Sequence, residues 1–165
     1  MTDAAQPQPA SPGAARSLTE LTQPERLLVW SLRATALGHA DCPALTRTFD
    51  RLGAAAVLQA QFVLVKLLGL GARRVLRLHP PGCACAGLDE TAVVGLAAAA
   101  QAVAGNGDGL LRLRIGFLAR PEYAESIRRA ALALADALDE AGLRLPLRLD
   151  QDAQPTAPGE LRVVH

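Results

Sequence analysis

The segment His79-Pro80-Pro81-Gly82-Cys83-Ala84-Cys85 holds two of the chain's three cysteines and one of its three histidines. Thiolates and imidazoles are the ligands of zinc and of iron–sulfur clusters, so His79, Cys83 and Cys85 offer three metal ligands from one loop. His39 and Cys42 add an imidazole and a thiol at His-x-x-Cys spacing. If the two segments meet in the fold, these five residues supply a closed four-ligand site for zinc or another thiophilic metal. The Cys-x-Cys bite departs from the paired Cys-x-x-Cys of common zinc modules.

Two other readings of the same loop stand beside the metal one. A cysteine placed beyond a strand and before a helix N-terminus has its thiolate favoured by loop amides and the helix dipole, which would suit thiol-redox chemistry. A disulfide across one intervening residue is geometrically strained, which counts against that reading. In the structural reading Pro80-Pro81-Gly82 turns the chain, Cys42, Cys83 and Cys85 fill space, His79 closes a strand end, and His39 sits at a helix C-terminus.

Catalytic signatures are absent. His39, Asp41 and Cys42 have the residue types of a nucleophilic triad, but neighbours so close in sequence seldom point at one another productively. Gly105-Asn106-Gly107-Asp108-Gly109 alternates glycines after a helical pattern rather than a strand, and so reads as a linker instead of a phosphate cradle. Helix capping and a solvated helix face account for Asp89-Glu90 and for Asp136, Asp139 and Glu140. His165 is terminal.

The elements that must position the loop follow from periodicity. Thr22-Gln23-Pro24-Glu25 is a capping-box pattern and predicts a helix that Gly38 stops, with Leu27, Leu28, Trp30, Ser31, Ala34 and Leu37 supplying a face at helical spacing. Asp41-Cys42-Pro43 predicts the cap of a shorter helix bearing Leu45, Phe49 and Leu52. Residues 54–70 are apolar on nearly every side, as in a central helix enclosed by its neighbours. Residues 73–79 alternate enough to predict a short strand ended by Pro80-Pro81, so the cysteine segment is the loop leaving it.

Asp89 can cap the next helix, expected to about Ala104, with Leu88 and Val93 at the positions of a hydrophobic staple. Residues 110–118 fit both periods and are assigned to helix, and residues 121–141 form the clearest helix, with Ile127, Ala131, Leu134 and Leu138 on one face and Gly142 to end it. Residues 143–149 predict a second short strand.

Composition bounds the rest. A chain of 165 residues, half of them apolar, fits one domain with one sizeable core. Aromatics are few (Trp30, Phe49, Phe62, Phe117, Tyr123), so Leu, Val and Ala must build that core, which favours packed helices. Seventeen basic residues against sixteen acidic ones leave no field that would draw nucleic acid or an anionic membrane. The apolar stretch 52–71 carries Gln59, Gln61 and Lys66, which suits a buried helix better than a span of about 20 mostly apolar residues. An odd cysteine count, and a start without a basic stretch leading into an apolar one, predict a reducing cytoplasm. Residues 1–21, rich in Pro, Ala and Gln, predict a disordered tail, residues 22–150 one globular domain, and residues 151–165 a flexible tail in which Leu161 to Val164 could dock.

The run Leu32-Arg33-Ala34-Thr35-Ala36-Leu37-Gly38, a small-residue helix, a strand, Pro-Pro with nearby cysteines, and an alanine-rich helical half resemble a group of small bacterial proteins of unknown function. The resemblance spans about residues 25–148. In that group the cysteine pair follows prolines and is often adjacent, whereas Ala84 separates Cys83 from Cys85 here. It implies one compact domain and directs attention to the Pro80 to Cys85 loop, without implying an activity.

The sequence thus predicts a predominantly helical α+β domain with a central buried helix and two short strands. Its expected function is a non-enzymatic binding or regulatory protein that holds zinc or another thiophilic metal on His79, Cys83 and Cys85 with Cys42 and His39. The alternatives are a metal-free helical module with a protein partner or a second copy of itself, and third a thiol-redox protein. Neither nucleic acid nor membrane is expected as a partner.

Overall fold

A computed structural model of the chain describes residues 15–148. Residues 1–14 and 149–165, which hold most of the two expected tails and the Leu161 to Val164 piece, lie outside the described residues.

The first helix, α1 (Gln23–Ala36), begins where the sequence places it. Glu25 Oε2 accepts from the Thr22 amide at 2.7 Å and Thr22 Oγ1 accepts from the Glu25 amide at 3.5 Å, so two orphan donors are satisfied reciprocally. It ends at Gly38, whose φ of 79° lets the His39 amide reach back to the Ala34 carbonyl at 2.8 Å. Next come α2 (Pro43–Arg51), which buries Leu45 and Phe49 as expected, and α3 (Ala55–Gly71). After the cysteine segment follow α4 (Leu88–Gln101), the one-turn α5 (Val103–Asn106), α6 (Gly109–Leu118) and α7 (Ala124–Glu140). All four residues expected on the inner face of α7 are buried. No helix among the described residues is long and apolar enough to cross a membrane.

The fold is predominantly helical, as expected, and a central buried helix is present, but it is α4 rather than α3. The α4 helix packs against α1, α6 and α7, and Val93, Val94 and Leu96 to Ala100 are all buried. On α3, Val57, Leu58, Leu64 and Leu68 face inward, while Phe62, Val63 and Leu70 are exposed. A helix apolar on every side does not declare which side the tertiary structure covers.

Two short strands also exist, at other places than predicted. The strands β1 (Arg16–Ser17) and β2 (Cys85–Ala86) pair antiparallel, Arg16 opposite Ala86 and Ser17 opposite Cys85. Residues 16–20, within the segment expected as a tail, therefore form a strand and a single 3-10 turn, with Leu18 packed against the core. Residues 73–79 and 143–148 join no sheet among the described residues, and side chains satisfy part of their backbone. The Arg77 amide donates to Asp89 Oδ2 at 2.7 Å and the His79 amide to Glu90 Oε1 at 2.9 Å. Gln101 serves the second segment, accepting from the Leu145 amide at 3.0 Å and donating to the Leu143 carbonyl at 2.9 Å.

Two smaller expectations are also corrected. The cap of α4 is Gly87, not Asp89, and Leu88 is 61% exposed, so no staple forms; Asp89 turns inward to Arg74 and Arg77. Gly105 belongs to the short helix α5, which shortens the glycine-rich connection to Gly107 and Asp108.

Candidate metal centre

The metal-ligating atoms of His79, Cys83 and Cys85 all lie within 4.8 Å of one another. These three side chains could hold a metal ion, since one ion bound at about 2.3 Å by sulfur and about 2.0–2.1 Å by nitrogen brings its ligands to such spacings. All three are partly exposed, so an ion can reach them from solvent.

The loop is shaped from both sides. Proline cannot donate, and the Cys83 amide closes a turn onto the Pro80 carbonyl at 3.0 Å. On one flank β1 pairs with β2, and the Leu18 amide donates to the Ala84 carbonyl at 2.8 Å. On the other lies a buried ion pair, with Arg33 1% and Glu90 0% exposed at the side chain. Arg33 Nε donates to Glu90 Oε1 at 2.6 Å and its Nη2 to Oε2 at 2.8 Å. The same guanidinium donates to the Cys83 carbonyl at 2.9 Å, to the Pro80 carbonyl at 3.3 Å and to the Cys85 carbonyl. One fork-shaped cation therefore holds the loop by three carbonyls, a task for which a lysine has neither the shape nor the donors.

Glu90 reads the other face of the loop. Besides Arg33 it accepts from the amides of His79 and Gly87, at 2.9 and 2.8 Å, and lies 3.2 Å from His79 Nδ1. Burial alone would push the Glu90 carboxyl up, but hydrogen bonds from Arg33, Gly87 and His79 and the Arg33 charge outweigh it and hold the pKa below the ordinary glutamate value. An ionised carboxylate only accepts, so this contact suits an imidazole that donates from Nδ1, the tautomer whose Nε2 has a lone pair for a metal. Gly87 makes room for this ring: a β-carbon there would stand 2.6 Å from His79 Cε1 and 2.9 Å from Nδ1.

The sulfurs of Cys83 and Cys85 are 2.7 Å apart and share a hydrogen bond. That bond acts on them in opposite directions. The Cys85 thiol, then the Cys85 amide, lower the pKa of Cys83, with the Arg33 charge adding to them. The same contact with Cys83 raises the pKa of Cys85, and desolvation raises it further. Cys83 is thus the readier of the two to become a thiolate, the form that binds a metal.

His39 and Cys42 are not part of this group among the described residues. The turn that ends α1 fixes His39, and Cys42 sits at the cap of α2, which packs on α3. There the amides of Leu45 and Ala44 and the charge of Arg47 hold the Cys42 thiol below its ordinary value despite an opposing desolvation. Of the five residues expected to supply a four-ligand site, three are grouped among the described residues.

Sequence reasoning missed Arg33 and Glu90 as the pair that builds the site. A signal was present for the acid: Glu90 stands in line with Val93, Val94 and Ala97, at the spacing of an apolar stripe, where a carboxylate needs a partner. Compared with protein-family models, with curated proteins and with solved structures, the chain matches none.

Proposed function

We propose that the protein is a non-enzymatic binding or regulatory protein that takes zinc or another thiophilic ion on His79, Cys83 and Cys85. The observation that carries this reading is that an imidazole nitrogen of His79 and the sulfurs of Cys83 and Cys85 lie within 4.8 Å of one another, with the Glu90 carboxylate 3.2 Å from His79 Nδ1. A carboxylate behind a ligating histidine is the usual outer partner of a metal-bound imidazole. Three protein ligands leave the fourth position of a tetrahedral ion to water, to a small molecule or to a partner's side chain.

The test is metal content by mass spectrometry on untagged protein purified without oxygen. About one zinc per chain is expected in the wild type, with a loss of thermal stability on chelation, and none in a Cys83→Ser, Cys85→Ser double variant. Metal-free wild type that takes up no added zinc would overturn the reading.

A metal-free interaction module is the second reading. The exposed apolar side chains of Phe62, Val63 and Leu70 on α3 and of Leu113 and Phe117 on α6 favour it. It predicts a chain whose stability ignores chelator and whose oligomeric state or partner binding changes on Phe62→Ser or Phe117→Ser, read by light scattering.

A further inference from the structure

We propose that Cys83 and Cys85 form a reversible intramolecular disulfide that empties the metal site, so that thiol oxidation controls metal loading. The disulfide stands on its own geometry; its consequence for metal rests on the function proposed above.

Two observations carry the inference. The sulfurs stand 2.7 Å apart, closer than the about 3.5–4.0 Å of ordinary non-bonded heavy-atom contact. A disulfide, at about 2.05 Å, needs them slightly nearer, whereas two thiolates sharing one ion need them further apart. The backbone on both sides of the pair is also held. Arg33 binds the carbonyls of Cys83 and Cys85, and Ala84 and Cys85 lie against Leu18 and Ser17, so the backbone that carries the two thiols is held in place. Cys42, at the cap of α2, is outside the group.

The oxidant is a low-molecular-weight disulfide such as oxidised glutathione. One protein thiolate attacks a sulfur of that disulfide, forming a mixed disulfide and releasing one small thiolate. The second protein thiolate then attacks the protein sulfur of the mixed disulfide and releases the other. One protein S–S bond replaces the small-molecule S–S bond, two electrons pass from the cysteine pair to the oxidant, and the two protons leave on the released thiols. A disulfide closed across one residue is of the strained, exposed kind that is readily reduced, which makes the step reversible. It consumes both sulfur ligands and leaves His79 alone, too few groups to retain zinc.

The experiment uses the full chain stripped of metal and equilibrated with mixtures of reduced and oxidised glutathione, then alkylated and mapped by mass spectrometry. The wild type and Cys42→Ser are expected to give a Cys83–Cys85 link that reduced glutathione reverses, while Cys85→Ser stops at a glutathione adduct on Cys83. Stable glutathione adducts on the wild type, or a link from Cys83 or Cys85 to Cys42 or to another chain, would overturn the disulfide. Zinc uptake is measured on the same samples. Uptake by the reduced form, its loss on oxidation and its return on reduction support the control of loading. Equal uptake by both forms overturns that control, and no uptake by the reduced form overturns the metal reading while leaving a mapped disulfide intact.

Discussion

At the scale of single residues the site depends on a missing side chain as much as on those present. Gly87 has an ordinary extended backbone, with φ of −81°, so an alanine would fit the chain there. What an alanine would not fit is the imidazole of His79 resting on that backbone. Gly87→Ala is therefore expected to turn the ring away from Glu90 and weaken zinc binding about 10–100-fold, the range seen when the support of a metal-bound histidine is lost. The measurement is a competitive zinc titration against a chromophoric chelator, with circular dichroism showing the helices retained. Unchanged affinity would mean that His79 is not a ligand.

At the scale of elements, α4 does two jobs, and its N-terminal half shows why. Its first turn presents Asp89 and Glu90 to the extended segment before the loop and accepts the amides of Arg77 and His79 in place of a neighbouring strand. One turn later Gly95 lets Arg114 of α6 lie against the helix backbone: a β-carbon at Gly95 would come within 1.8 Å of Arg114 Nη1. Arg114 is itself 7% exposed and donates from Nη2 to the Arg148 carbonyl at 2.9 Å, so it has little room to retreat. Gly95→Ala should then cost about 1–3 kcal/mol of overpacking, despite the better helix propensity of alanine. Urea unfolding checks the sign, because an exposed helical glycine would give a stabilised variant instead.

At the scale of the whole molecule, Arg33 and Glu90 join α1, α4 and the cysteine loop through one buried pair. Removing one partner of such a pair strands a buried charge, so Glu90→Gln is expected to cost on the order of 3–5 kcal/mol at neutral pH. The folded-state pKa of Glu90 is depressed, so its contribution is complete above the unfolded glutamate value of about 4.3 and is lost as pH falls through the lower folded-state value. Denaturant midpoints of metal-free protein measured from about pH 6 down through about pH 2 should thus fall below the unfolded glutamate value, and fall less in Glu90→Gln than in the wild type. Parallel slopes for the two proteins would show that Glu90 is not held ionised by the fold.

Local rules in the sequence determined the helices and the loop. The Thr22–Glu25 box, the stop at Gly38, the inner face of α7 and the prolines that expose a Cys-x-Cys pair depend on neighbours a few residues apart, and periodicity and turn chemistry read such neighbours directly. Only the tertiary structure decided which apolar helix is enclosed, which extended segments find a strand partner, and which ligands meet. Residues 73–79 have the alternation of a strand, yet acidic side chains from α4 take their amides. His39 and Cys42 have ligand chemistry, yet helix ends hold them elsewhere. Arg33 meets Glu90 across 57 positions of sequence. Contacts of that separation are set by how faces pack, and no spacing along the chain encodes them.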